Sequence, residues 1–139
     1  MWRGGSSEIV RRRWGHTEAR ARAAWVLAAD LAADAMGADM RKVVQHHTGG
    51  RGRTVDDRTA QARKLACYLG SVTADVAPER LGQASGLNRA TIHKHCRWVE
   101  DQRDRPEFDA LVQKLEAVLI GMCARVVLAN LAELEEGEA

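Results

Sequence analysis

Aromatic side chains, prolines and strand-like alternation are all scarce in this chain. Its 139 residues hold one phenylalanine, one tyrosine, four tryptophans and two prolines. No stretch alternates β-branched with polar residues, so a sheet has little to build from and an all-α chain is expected. Apolar residues make up 45%, enough for a core, although that core is rich in alanine. A membrane helix needs about 20 consecutive apolar residues, and the run Ala117–Ala129 is broken by Arg125. Asp30 and Asp34 interrupt the N-terminal apolar stretch, which argues against a secretory signal. Arg11–Arg13 leads into Trp14-Gly15 and an Asp-bearing helical segment, unlike a twin-arginine signal. The three cysteines, Cys67, Cys96 and Cys123, lie far apart in no C-x-x-C arrangement. They read as reduced, buried thiols of a cytosolic protein.

Catalytic and metal-binding patterns are missing as well. His93 and His95, two apart on a helix, point to different sides, and His46-His47 falls in a linker. No cluster supplies four ligands at the spacing zinc requires. No nucleophile, base and orienting acid are brought together, and no pair of carboxylates is framed for acid–base work. The segment His46–Thr54, HHTGGRGRT, lacks the Gly-Lys-Ser/Thr ending of a phosphate loop, and no apolar strand precedes it. The reading is therefore a non-enzyme without metal or cofactor.

What the chain does have is charge in an uneven distribution. Net charge is only +2. Residues 1–53 carry ten basic and five acidic side chains, residues 54–105 nine and seven, and residues 106–139 two and seven. A basic front and an acidic back suit a protein that turns one side to nucleic acid, though ordinary solvated surface has the same composition.

Periodicity and capping signals place helices near 17–36, 39–46, 55–72, 76–85, 88–101 and 106–133. Thr17 is a cap for the first, in which Trp25, Ala28, Leu31 and Ala35 share one face, and Gly37 ends it. Thr54 with Asp57 resembles a capping box for the third, whose inner face is Ala62, Leu65, Leu69 and Val72. Pro106 opens the last helix, with Phe108, Leu111, Leu115, Val118 and Met122 as its stripe. Leu119–Leu134 is apolar on more than one face and must cover a second face, against the N-terminal helix or a partner. Three regions follow: a basic helical region and Gly/Arg linker (1–53), a central domain (54–120), and a C-terminal helix extension with an acidic tail (121–139).

The chemistry concentrates in Val76–Val99. Pro78 suits a first helical turn, Asp75 is a candidate cap before it, and Leu81 and Ala84 give that short helix its apolar face. Gly86 permits a reversal, and Asn88 can cap a second helix on which Ile92, Cys96 and Val99 recur at i, i+4 and i+7. The opposite stripe is Ala90, Lys94 and Arg97, flanked by Arg89 and His93. An apolar back and a basic, hydrogen-bonding front behind a tight turn have the chemistry of a helix that reads the major groove.

Three stretches in fixed order carry a family likeness. They are Ala62–Leu69 (ARKLACYL), the turn element with Pro78, Glu79 and Gly82, and the run holding Thr91, Cys96, Arg97, Val99 and Glu100. With the helix Pro106–Leu119 they make Ala62–Leu119 resemble the C-terminal DNA-binding domain of the bacterial replication initiator DnaA, a helix-turn-helix fold akin to Trp repressor. The likeness covers under half of the chain and leaves out the ATPase of the initiator. It implies that Thr91 and Lys94 contact phosphates and that an arginine from the preceding loop enters the minor groove. Arg51, Arg53 and Arg58 are the candidates. Two departures stand out. The family's Asp-His-Thr base-reading triplet is here Asn88-Arg89-Ala90, with one residue fewer in the preceding loop, and Arg80 is an additional residue in the turn element.

The candidate DNA-binding residues are therefore Asn88, Arg89, Ala90, Thr91, His93, Lys94 and Arg97, with Arg51, Arg53 and Arg58. Arg89 can bridge O6 and N7 of guanine or rest on a phosphate. Asn88 can cap the helix or reach a base, and His93 can reach the groove or stay in solvent. Trp98 is expected to pack against the next helix. The resemblance implies a cytoplasmic, nucleoid-associated regulator of transcription that binds double-stranded DNA, of the stand-alone kind that includes activators of phage-derived gene transfer agent clusters. The last helix would add a second copy or a partner such as the transcription machinery. Two other readings stay open: a replication-linked competitor for initiator sites, and an adaptor that kept the fold without binding DNA.

Overall fold

The computed structural model describes residues 17–45 and 56–138. The Trp14 segment, the Gly/Arg linker with Arg51 and Arg53, and the expected Thr54 cap lie outside the described residues. Among the described residues six α-helices follow one another: α1 (Glu18–Met36), α2 (Met40–Val44), α3 (Asp57–Tyr68), α4 (Pro78–Ser85), α5 (Arg89–Gln102) and α6 (Pro106–Glu138). A π-helical turn, Leu69–Thr73, continues α3. Among the described residues there is no strand.

Local chemistry sets most helix ends. The Thr17 hydroxyl accepts the Arg20 N–H at 3.1 Å, and Gly37 closes α1 in the left-handed region with φ 69°. Asp39 caps α2, which is shorter than expected and stops at Val44. The cap of α3 is Asp56, whose carboxylate accepts both the N–H and the hydroxyl of Thr59 at 2.9 Å. Asp75 is not the cap of α4. That position belongs to Ala77, which makes no side-chain cap bond, while Asp75 itself sits at φ 56° and turns the chain out of the π-helical turn. Aspartate tolerates that region better than most side chains. Pro78 at the start of α4 has no N–H in need of a cap.

α3 is the central helix, packed against α1 on one side and α5 on the other. The buried side of α1 is mostly alanine: Ala21, Ala24, Ala28, Ala29, Ala32 and Ala33 are all buried, together with Trp25. Side chains this small let two helices approach closely. Leu31 and Ala35, expected on the inner face, are only partly buried. Ala62, Leu65 and Leu69 are buried as expected, but Val72 is exposed and Thr73 takes the interior position. The π-helical turn is the cause, since its extra residue per turn rotates everything after it around the helix axis.

α6 differs in the same sense. Phe108, Val112, Leu115, Leu119 and Cys123 form its buried stripe, whereas Leu111 is partly buried and Val118 is 42% exposed. A helix apolar on two faces leaves its own periodicity undecided, and packing against α1 and the π-helical turn selects one. One cluster of buried residues runs from Ala21 in α1 to Cys123 in α6.

Candidate nucleic-acid interface

α4, the turn and α5 form a tight unit. Gly86 adopts φ 78° and returns its N–H to the Gly82 carbonyl at 2.8 Å. Leu87 is buried, and its N–H donates to the Ser85 hydroxyl at 3.2 Å. Gly82 is required by proximity, because a Cβ there would lie 3.0 Å from the Leu87 carbonyl oxygen. Asn88 caps α5: its side-chain oxygen accepts the Thr91 N–H at 2.8 Å. That oxygen is committed to the helix end.

The two faces of α5 separate by chemistry. Ile92 and Val99 are fully buried and Cys96 partly so. Asn88, Arg89, Ala90, His93, Lys94 and Arg97 are exposed, and Thr91 is half-buried. With 3.6 residues per turn, Arg89, His93 and Arg97 lie one above another with Ala90 and Lys94 beside them. The stripe then reaches Glu100 and Asp101, both exposed, so its basic part is confined to the N-terminal turns.

Arg89 is engaged within the protein. Its Nη1 lies 3.1 Å from Oε1 of Glu79 in α4, each side chain 64% exposed. An exposed pair of this kind contributes at most about 1 kcal/mol, so a guanine edge or a phosphate can compete for the guanidinium. Glu79 was not among the candidates. Ten residues separate it from Arg89, and only the turn joins them.

Arg58 has a place of its own. A Cβ on Gly37 would lie 3.5 Å from its Nη1, so the guanidinium rests on the C-terminal end of α1. A cation there is favoured by the helix dipole. Arg63, also absent from the candidates, donates to the carbonyls of Lys42, Val43 and Gln45 and ties α2 to α3.

Behind α5, Trp98 packs edge-on against Phe108 of α6, ring centroids 6.0 Å apart, and Lys64 stands 4.7 Å over the indole. Its expected packing role is what the structure displays. His95 points away from the basic front and is partly buried, and its pKa is pushed down to about 4 by burial first, then by the charges of Lys64 and Arg63. It is a neutral imidazole at pH 7. Burial raises all three thiols, with Cys123 brought up to about 11. The cysteines are free, and as protonated thiols they are poor nucleophiles.

Arg103, just past α5, holds the back of the unit together. It donates to Asp109, to the Tyr68 hydroxyl at 2.9 Å and to Glu116 at 3.0 Å. Glu116 also accepts the Thr73 hydroxyl at 3.0 Å. One side chain therefore links the end of α5 to α3, α6 and, through Glu116, the π-helical turn. Burial disfavours its charge, but the hydrogen bonds to Asp109 and Tyr68 and the nearby Glu116 outweigh that and raise its pKa.

Among the described residues, no group of three or more His, Cys, Asp or Glu side chains could hold a metal ion. No helix among them is long and apolar enough to cross a membrane. Comparison with protein families, with curated proteins and with solved structures finds no match for this chain.

Proposed function

We propose that this chain is a sequence-specific, double-stranded-DNA-binding regulator of transcription, with a DnaA-like helix-turn-helix arrangement in which α5 enters the major groove. One observation carries the reading. α5 is fixed from behind by Ile92 and Val99 and presents Arg89, His93, Lys94 and Arg97 together at its exposed N-terminal half. Reading helices contact base edges from that end. Arg89 meets guanine, Ala90 offers a methyl to thymine, and Thr91 and Lys94 bear on phosphates. Asn88 acts chiefly as the cap. The change from Asp-His-Thr to Asn88-Arg89-Ala90 removes an acceptor for cytosine, so the preferred site differs from that of the initiator and contains a guanine opposite Arg89.

A competition assay over systematically varied duplexes tests this. Arg89→Ala should relax the preference at one base pair by about 1 kcal/mol, the low end of the usual range because binding first breaks the Glu79 pair. Lys94→Ala should weaken every duplex alike. Equal weakening of all duplexes by Arg89→Ala would make Arg89 a phosphate contact.

α6 supplies the association surface in this reading. Val118 and Val126, 42% and 40% exposed, stand two turns apart with half-buried Met122 between them at i+4. A second copy of the chain covers that stripe, as dimeric helix-turn-helix proteins bind two half-sites. Light scattering should give twice the chain mass for the wild type and the single chain mass for Val118→Glu/Val126→Glu. A monomeric wild type at micromolar concentration sinks the dimer.

A further inference from the structure

We infer that Arg22 of α1 and Arg80 of α4, with Gln83 beside them, form a second phosphate-contact site through which the N-terminal helix extends the DNA footprint. This rests on the DNA-binding reading above. An open cleft of about 220 Å³ lies between the two helices, lined by Glu18, Arg22, Arg80, Gln83 and Ala84. It is smaller than the roughly 300–1,000 Å³ that organic ligands occupy, and its polar donors suit an anion of phosphate size. Neither arginine forms an ion pair among the described residues. Arg22 is exposed and Arg80 partly so.

Position identifies the source of the phosphate. Gln83 stands one turn beyond Glu79 on α4, and Glu79 touches Arg89 at the start of the reading helix. The cleft and the first turn of α5 thus share one side of α4. In a helix-turn-helix the first helix crosses the sugar–phosphate backbone while the second reads bases. The strand bordering the groove that α5 enters therefore passes over Gln83 and Arg80, with Arg22 reaching it from α1. Glu18 is the one opposing charge in the cleft, and it limits the attraction.

The test is the salt dependence of binding by the full chain to the duplex it retains best from a randomised pool. Each neutralised phosphate contributes about 0.9 to the slope of log affinity against log salt. Arg22→Gln/Arg80→Gln should lower the slope by about 2 with base preference unchanged. Between 50 and 200 mM salt, its affinity should fall roughly tenfold less than that of the wild type. Arg80→Lys should keep the wild-type slope, because a lysine still neutralises a phosphate. If the double variant does not fold, Arg22→Gln at its exposed position carries the test alone, with a change of about 1. A wild type that binds steeply while the variants keep its slope overturns this inference and leaves the reading helix untouched. A wild type with no affinity for any duplex overturns both.

Discussion

Arg103→Ala should lower the unfolding free energy by about 3 kcal/mol, read as a fall in the urea midpoint at unchanged m-value. Removing one partner of a buried ion pair typically costs about 3–5 kcal/mol, because the remaining charge is stranded. Here Arg103 and Glu116 are each 21% exposed and Asp109 32%, so water reaches part of the network and the low end applies. Arg103→Lys should recover only part of the loss, since a lysine ammonium cannot fork between Asp109 on one side and Tyr68 and Glu116 on the other. On the function proposed above, the damage should extend to DNA binding. Arg103 is the polar clamp that holds the end of α5 on α3 and α6, so its loss frees α5 to move. A midpoint shift worth less than about 0.5 kcal/mol, within the ordinary range for a surface substitution, would show that the network adds little.

Acidification should act through the partly buried His95 of α5. His95 titrates near pH 4 in the folded chain, against 6.5 for an ordinary histidine. Between those values the unfolded chain binds more protons, so stability rises with pH through the window. The contribution is complete above about pH 6.5 and is lost as pH falls toward 4. Going from pH 7 to pH 5 should therefore cost on the order of 1 kcal/mol, because water reaches the partly buried ring and screens part of the linkage. His95→Gln, which keeps a polar side chain without a titrating proton, should flatten this part of the profile. Thermal or urea unfolding at both pH values provides the comparison, and a variant that loses as much as the wild type sinks the assignment.

The α4–turn–α5 unit was legible because its signals are local. Pro78 at a helix start, Gly86 past a helix end and Asn88 capping three residues ahead each act within one turn of chain, and each sits where the residues alone place it. Thr17 and Gly37 bracket α1 for the same reason. The basic front of α5 follows from period 3.6 once the apolar back is known. Where two local patterns compete, sequence loses its hold. α6 offers apolar residues to two faces, and only contact with α1 and the π-helical turn commits Val112, Leu119 and Cys123 to the core while leaving Val118 outside. Val72 follows the α-helical pattern of α3, yet the π-helical turn rotates it into solvent. Residues distant in sequence had no signal at all. Glu79 meets Arg89, Arg103 meets Tyr68 and Glu116, and Arg22 shares a cleft with Arg80 only because the helices pack. Capping and periodicity are properties of one turn of backbone, so composition and order determine them. Which charges become partners depends on how whole helices are brought together, and that is decided only when the core closes.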